Sequence, residues 1–295
     1  MYFTGFADEA SKDFDLQLKA TKELGWNNIE TRALMGGNLA SISDADFDLV
    51  CEKLDANGVR FNCFGSGIAN WSQNITESPE ASYEELRKAI PRMNKLGTKM
   101  VRMMSFAVPE ELRPQSMDYL DEVIKRVKVL AKMAEDAGIL LVHENCTNWG
   151  GLSYEHTLKL LDKVNSPNLK LVFDTGNPVL HKDYRGEAPY SYQNAWEFYS
   201  NVKEHIAYIH IKDGRIDETD TMIYTFPGEG DGCVRQILTD AFASGYDGGI
   251  SIEPHMAVVF HDASQNKDQA DELSYDNYVE YGQKMIALVE SIKGN

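Results

Sequence analysis

The feature that most constrains the fold is a regular alternation of short apolar runs with longer amphipathic stretches. Eight apolar runs of strand length occur, at 2–6, 28–31, 60–64, 100–104, 140–143, 170–173, 207–211 and 249–252. Stretches with helical spacing of apolar residues follow them, at 13–24, 44–57, 83–96, 117–137, 154–164, 194–204, 233–244 and 269–292. Strands that alternate with helices predict a parallel sheet covered by helices.

Eight such units in 295 residues predict an α/β fold, a (β/α)₈ barrel, as a single domain over residues 1–295. An open doubly wound sheet is the alternative, but no GxGxxG motif follows the first apolar run. Gly58 and Gly138 stand between a predicted helix and the next strand, where helices commonly end. Ser43 and Ser82 are predicted to cap the helices that follow them.

The connections between these elements differ in length. Helix-to-strand connections are short, whereas four strand-to-helix connections are long, at 65–82, 175–193, 212–232 and 254–268. In a barrel, the strand-to-helix connections share the face that carries active sites. We therefore expect residues 175–193, which include His181, Arg185 and Tyr190, to form a lid over a substrate.

The last four predicted strands each end in a residue that can bind a metal ion. Three carboxylates and one imidazole meeting at one rim are costly to bury without a partner, and a divalent cation relieves this cost. The donor set favours Mn²⁺ or Mg²⁺, with Co²⁺ and Zn²⁺ as further candidates. The residues are Glu144, Asp174, His210 and Glu253.

The charge balance bears on the partners of this chain. With 29 basic and 46 acidic residues, the formal net charge is −17. Nucleic-acid binding normally requires a basic face, and an anionic membrane surface also favours one. The chain carries neither a run of about 18 apolar residues nor an N-terminal signal pattern. The sequence predicts a cytoplasmic protein that binds a small molecule, and neither nucleic acid nor membrane.

These motifs resemble those of the xylose isomerase-like TIM barrels. That superfamily contains sugar epimerases and isomerases of the tagatose 3-epimerase and hydroxypyruvate isomerase kind, inosose dehydratases, and endonuclease IV-type DNA repair enzymes. The resemblance covers essentially the whole chain. It is carried by GWNNIE at 25–30, EN at 144–145, DTGN at 174–177, HIKD at 210–213, PGEGD at 227–231 and IEPH at 252–255.

The resemblance implies specific roles for these residues. It implies that the four strand-end residues bind one divalent metal ion, and that Glu144 and Glu253 are also the acid–base pair. Epimerases of the family often place a substrate-binding histidine where this chain has Asn177, so Asn177 is expected to bind substrate. Cys146 replaces the histidine of the usual ENH. Both positions depart from the pattern of a plain ketose epimerase. A homo-oligomer is a further expectation from the resemblance.

The chemistry of two glutamates and a metal ion leaves several reactions open. One carboxylate on each face of a planar enediolate supports epimerisation, return of the proton to the neighbouring carbon gives isomerisation, and loss of a β-substituent gives a lyase. We predict a metal-dependent sugar or cyclitol epimerase or isomerase. The alternative is a metal-dependent lyase or dehydratase acting on an oxidised sugar, an inosose or a 3-keto-glycoside. A nuclease or a silent binding subunit fits the residues less well.

Further residues near the predicted strand ends are candidates for substrate binding. Lys212, two residues after His210, is expected to bind a substrate oxygen or to pair with Glu229 or another carboxylate. His255 is expected to contact substrate, to act in proton transfer, or to pack in its loop. His181 belongs to the predicted lid.

Aromatic and charged residues on the earlier strands have weaker signals. Trp71 and Phe106 are expected to stack on the apolar face of a sugar or to plug the core. Glu30 and Arg32, near the end of the second predicted strand, are expected to pair with each other.

Overall fold

The structure is a computed structural model that describes residues 1–256 and 267–294; for residues 267–272 it describes the backbone but not the side chains. Ten strands form within these ranges. The strands are β1 (Tyr2–Gly5), β2 (Asn28–Thr31), β3 (Arg60–Gly65), β4 (Met100–Met103), β5 (Leu140–Glu144), β6 (Leu169–Asp174), β7 (Ile206–Ile211), β8 (Asp213–Ile216), β9 (Met222–Thr225) and β10 (Gly249–Ile252).

Eight of these strands form one parallel sheet in the order β1, β10, β7, β6, β5, β4, β3, β2. A parallel bridge between Phe6 and Glu30 joins the two outer strands and brings the sheet close to full closure. Helices surround it: α1 (Phe14–Glu23), α2 (Asp44–Asn57), α3 (Glu80–Leu96), α4 (Leu120–Ala137), α5 (Tyr154–Val164), α6 (Asn177–Leu180), α7 (Ala195–Val202), α8 (Val234–Ala243) and α9 (Lys267–Lys293). The predicted (β/α)₈ barrel is confirmed.

The helix boundaries follow the sequence signals in most places. Gly58 and Gly138 follow α2 and α4 with φ of 61° and 64°, a left-handed conformation that glycine adopts without strain. Ser43 caps α2 by accepting the N–H of Asp46. The cap predicted at Ser82 is wrong, because α3 already begins at Glu80 and the Ser82 hydroxyl accepts the N–H of Ala69 at 2.8 Å.

Side-chain alternation along β5 decides which residues face the barrel interior. Val142 packs in an interior cluster with Cys63, Val172 and Tyr208. His143 lies on the opposite face, where its Nε2 is 3.0 Å from both Ser105 Oγ and Asn148 Oδ1. Burial lowers the pKa of His143 to about 4, which keeps it neutral. Glu144 therefore points inward at the end of the strand.

Two elements formed inside segments that we predicted as loops. The connection at 212–232 contains the antiparallel hairpin of β8 and β9, and the connection at 175–193 contains the short helix α6. The β8 sequence, DGRI, is not an apolar run, so the sequence shows no pair of apolar runs that would indicate a hairpin. Of the predicted loop at 254–268, residues 257–266 lie outside the described residues. Among the helices of the described ranges, none combines the length and apolar character needed to cross a membrane.

Candidate metal centre

Four strand ends bring the predicted metal-binding residues together at the carboxyl rim of the barrel. Each residue offers one atom to a common space, and these four atoms all lie within 4.8 Å of one another. All four side chains are buried. The parallel register contributes directly, because β6 and β7 pair Asp174 with His210. The residues are Glu144, Asp174, His210 and Glu253.

Glu144 is held by two donors from neighbouring elements. Arg102 at the end of β4 donates from Nη1 to Glu144 Oε2 at 3.1 Å, and its Nη2 donates to the Ser66 carbonyl at 2.8 Å. Asn177, the first residue of α6, donates from Nδ2 to Glu144 Oε1 at 2.9 Å. We did not predict Arg102 as a site residue, because a single arginine within an apolar strand carries no motif that indicates its partner.

Glu253 lies among several cationic and imidazole groups. Lys212 donates from Nζ to Glu253 Oε2 at 3.0 Å, and Arg32 donates from Nη1 to Glu253 Oε1 at 3.1 Å. The His255 ring nitrogen Nε2 is 3.6 Å from Glu253 Oε1. Burial alone would raise the pKa of Glu253, but Lys212, His255 and Arg32 together lower it well below its ordinary value. Glu253 is therefore ionised at neutral pH.

The Lys212 ammonium lies between two of the candidate metal ligands. Its Nζ is 3.1 Å from Asp174 Oδ2 as well as 3.0 Å from Glu253 Oε2. Burial acts against its charged form, yet these carboxylates hold the pKa of Lys212 well above its ordinary value. Burial also raises the pKa of Asp174 to about 7, against the opposing effect of Lys212. The predicted partner Glu229 instead lies 3.7 Å from Lys284.

The turn after β6 is fixed by the polar residues of its DTGN sequence. Asp174 Oδ1 accepts the backbone N–H groups of Gly176 at 2.9 Å and Asn177 at 2.7 Å. Asn145 donates to the Asp174 carbonyl at 2.9 Å and accepts the Asp174 N–H at 2.7 Å. These bonds leave Asp174 Oδ2 turned towards the other candidate ligands.

Glu30 and Arg32 do not follow the predicted pairing, because each engages a different part of the site. The Glu30 carboxylate is 2.9 Å from His210 Nε2. Arg32 donates to Asp8 Oδ2 at 2.9 Å and to Glu9 Oε1 at 3.1 Å, in addition to Glu253. Glu9 was missed because its short 3₁₀ turn after β1 carries no ligand-type motif.

The predicted residues of the later loops lie close to this centre. His255 Nδ1 is 2.8 Å from Glu9 Oε1, and the Tyr224 ring of the hairpin packs edge-on against His255 at 5.2 Å. His181 Nε2 is 2.6 Å from Thr147 Oγ1, and burial lowers the pKa of His181 to about 3. Tyr224 was missed because the hairpin was predicted as a loop.

The two predicted stacking aromatics have different surroundings. Trp71 lies in the loop after β3 and is 39% exposed, so its substrate contact stays a prediction. Phe106 is fully buried in the core, which agrees with the core-plug interpretation rather than with sugar stacking.

Asp213 organises the loop that follows β7. Its buried carboxylate accepts four backbone N–H groups, at 2.8 to 3.1 Å, from Gly214, Gly228, Gly230 and Gly232. We expect Asp213→Ala to lower the free energy of unfolding by about 1–3 kcal/mol, because these donors lose their acceptor. Urea denaturation measures this change.

Asp217→Ala is the matched control for Asp213. Asp217 also accepts N–H groups, from Thr219 and Thr221, but is only partly buried, at the hairpin turn. Water can replace its carboxylate there, so we expect a clearly smaller loss than in Asp213→Ala. Equal losses in both variants contradict a special role for Asp213.

Two atoms of the centre test whether a metal ion fits. Within residues 1–256 and 267–294, His210 Nδ1 is buried and forms no hydrogen bond, and buried Asp174 Oδ2 has an ion pair with Lys212 at 3.1 Å but no hydrogen bond. His210 Nδ1 is 3.9 Å from Glu253 Oε2, so it faces the common space. Buried polar atoms without partners are rare unless a ligand satisfies them. Oxygen donors with one imidazole therefore fit a divalent cation.

Comparison with known proteins gives a family match over most of the chain. The family described as xylose isomerase-like TIM barrel matches residues 18–275. Among curated proteins, an uncharacterised protein of Methanocaldococcus jannaschii, MJ1311, is 28% identical over 177 residues. This match covers 58% of this chain and 55% of that protein, so it spans little more than half of the relative.

Solved structures share the fold over nearly the whole chain. The IOLI protein with a bound zinc atom superposes with a TM-score of 0.73 at 14% identity, covering 99% of each chain. The D-allulose 3-epimerase from Methylomonas sp., in complex with D-allulose, superposes with a TM-score of 0.66 at 19% identity, covering 97% of this chain and 96% of that chain. At these identities the likeness establishes the fold alone.

Proposed function

Because this chain belongs to the xylose isomerase-like TIM barrel family, we propose that it is a divalent-metal-dependent epimerase or isomerase of a sugar or cyclitol. The observation that carries the proposal is the convergence of four buried ligand atoms within 4.8 Å at the carboxyl rim. The solved relatives named above, one with zinc and one with D-allulose, support it. The proposed ligands are Glu144, Asp174, His210 and Glu253.

Glu144 and Glu253 are the proposed acid–base pair. The metal ion, Mn²⁺ in our proposal, supplies polarisation of a substrate carbonyl when bound. Glu253, kept ionised by Arg32 and Lys212, accepts a proton from the carbon beside that carbonyl. Glu144 stands on a strand at a different side of the rim, with Arg102 and Asn177 fixing its carboxyl group. Once protonated from solvent, it donates a proton from the opposite face, and exchange with solvent then restores both glutamates.

The charges around the centre favour an uncharged substrate. Carboxylates outnumber the cationic side chains, since Asp8, Glu9 and Glu30 join the three acidic candidate ligands against Arg32, Arg102 and Lys212. A divalent ion offsets only part of this excess. A substrate phosphate next to it would meet residual negative charge, whereas hydroxyl groups can bond to the carboxylates. We therefore propose an unphosphorylated sugar or cyclitol.

Lys212 favours a second candidate function, a lyase or dehydratase. Its buried ammonium lies 3.0 Å from Glu253 and 3.1 Å from Asp174, beside the proposed base. From this position its ammonium can stabilise the negative charge that develops on a leaving hydroxyl or alkoxide oxygen. Elimination from an inosose or a 3-keto-glycoside would use the same glutamates.

Deuterium exchange tests both functions at once. Chelator-treated protein is loaded with Mn²⁺, Mg²⁺, Co²⁺ or Zn²⁺ and incubated in D₂O with keto sugars, inososes and 3-keto-glycosides. We expect deuterium at the carbon beside the carbonyl, together with an epimer or isomer, only in the metal-loaded protein. Exchange with loss of water or an alcohol identifies the lyase instead. Absence of exchange with every metal and substrate contradicts both functions.

The segment 175–193 is the proposed lid. Its two sides are joined by a bridge between Lys182 and Tyr192, and Tyr192 donates to Asp220 of the hairpin turn at 2.6 Å. We expect backbone amides at 182–192 to exchange with solvent quickly in the free protein and at least about tenfold more slowly with a bound substrate analogue. Hydrogen-exchange mass spectrometry measures both states. Helix α4 is the internal reference, and equal exchange of 182–192 in both states contradicts a lid.

A further inference from the structure

Glu30 is a buried carboxylate that three donors approach on one oxygen. It lies on β2, is 0% exposed and faces the barrel interior. The Tyr208 hydroxyl donates to Glu30 Oε2 at 2.9 Å, and the Ser251 hydroxyl donates to the same atom at 2.7 Å. The third neighbour is His210 Nε2, at 2.9 Å. These contacts fix the carboxylate directly beneath the candidate metal centre.

The two ring nitrogens of His210 have opposite surroundings. Nε2 faces the Glu30 carboxylate, which can only accept a hydrogen bond when ionised, so Nε2 carries the proton. Nδ1 forms no hydrogen bond within the described part of the chain and faces the space shared by the candidate ligands. The Phe6 and Tyr208 rings pack edge-on against the imidazole at 5.1 and 5.4 Å and limit its rotation.

We propose that Glu30 is a positioning residue that holds the proton of His210 on Nε2 and so presents the Nδ1 lone pair to the metal ion. A carboxylate behind a metal-binding histidine fixes the orientation of the ring and increases its basicity as a ligand. The inference rests on the proposed metal centre, and it adds a residue from β2, a strand that carries none of the four candidate ligands. Tyr208 and Ser251 keep Glu30 in place by donating hydrogen bonds to its Oε2.

Two substitutions of Glu30 distinguish the loss of the hydrogen-bond acceptor of His210 from the loss of the negative charge. Glu30→Met has a similar size but no acceptor, and Glu30→Gln keeps an uncharged oxygen that can still accept from Nε2. We expect Glu30→Met to weaken Co²⁺ binding by about 10- to 100-fold, the usual effect of losing such a partner. Glu30→Gln should fall between this variant and the wild type. Isothermal titration with Co²⁺ alone measures the affinities, so activity is not needed.

Glu85→Gln is the control for replacing a partly buried glutamate that lies outside the candidate metal centre. Glu85 accepts the N–H of Gly67 at 3.0 Å and an amide proton of Asn38 at 3.1 Å, away from the candidate ligands. Its substitution should leave Co²⁺ affinity unchanged. Melting temperature and circular dichroism identify folded variants, and Glu30→Gln keeps the test open if Glu30→Met does not fold. A folded Glu30→Met with wild-type Co²⁺ affinity overturns the inference.

The tautomer of His210 provides a readout that a purely structural role does not change. Nitrogen-15 spectra of histidine-labelled, metal-free protein at alkaline pH show which ring nitrogen bears the proton, and a His210→Asn variant assigns the signal. We expect the Nε2–H form in the wild type and a shift towards Nδ1–H in Glu30→Met. A wild-type Nδ1–H form overturns the inference. A wild type that binds no divalent ion instead contradicts the metal centre, while the spectra still decide the role of Glu30.

Discussion

We expect Glu253→Gln and Glu144→Gln each to lower turnover at least about 100-fold, the low end of a general-base contribution. Glutamine keeps the size of the side chain and one oxygen that can bind a metal ion, but its amide does not accept the proton. Turnover is measured at saturating Mn²⁺ on the substrate found by deuterium exchange. Glu229→Gln is the control, because Glu229 lies on the same loop face but pairs with exposed Lys284. Its turnover should stay close to wild type.

The two glutamate variants also distinguish one base from two. If each glutamate serves one face, one variant retains solvent exchange of the substrate C–H and the other retains exchange of the epimer. A single-base lyase requires one glutamate for exchange from either stereoisomer, and the other affects only metal affinity. If neither substitution lowers turnover at saturating metal, the bases are elsewhere, and His255 and Lys212 are the next candidates.

Lys212→Met should give the largest loss of stability in the metal-free protein. The Lys212 ammonium neutralises Asp174 and Glu253 inside the barrel rim, with side chains that are at most 5% exposed. Removing one partner of a buried ion pair typically costs about 3–5 kcal/mol, because a charge remains buried without compensation. We expect a loss of this size in the free energy of unfolding, measured by urea denaturation at pH 8 with a chelator present.

Added metal should reverse much of that loss. A divalent ion bound to the same carboxylates replaces the missing positive charge and stabilises the folded state by mass action. Lys284→Met is the control, because Lys284 forms surface ion pairs with Glu229 and Glu280, which are worth about 0–1 kcal/mol, and its ammonium lies 3.9 Å from the Phe226 ring rather than at the barrel rim. A Lys212→Met protein as stable as wild type in chelator contradicts the role of Lys212 as an internal counter-charge.

The local pattern of the sequence was sufficient for the barrel and for the direction of the rim residues. Helix and strand periods differ, so the alternation identifies eight units without any long-range information. The period of two along β5 then places Val142 and Glu144 inside and His143 outside, as the structure has them. Gly58 ends a helix because glycine adopts a left-handed backbone conformation without strain, and this signal is also local. The convergence of the four candidate ligands follows because parallel strands share one carboxyl edge.

The pairing of charges around the centre was decided only by the tertiary structure. Arg32 meets Glu253 across 221 positions of sequence, and Glu30 meets His210 across 180. No local spacing encodes such contacts, since ring closure between β1 and β2 and the tilt of each strand determine which side chains meet. Lys212 likewise pairs with Asp174 and Glu253 rather than with Glu229, because the fold buries its ammonium beside those two carboxylates. The types of residue at the rim follow from the sequence because the strand period is local, whereas the partners of these residues depend on how distant strands close the barrel.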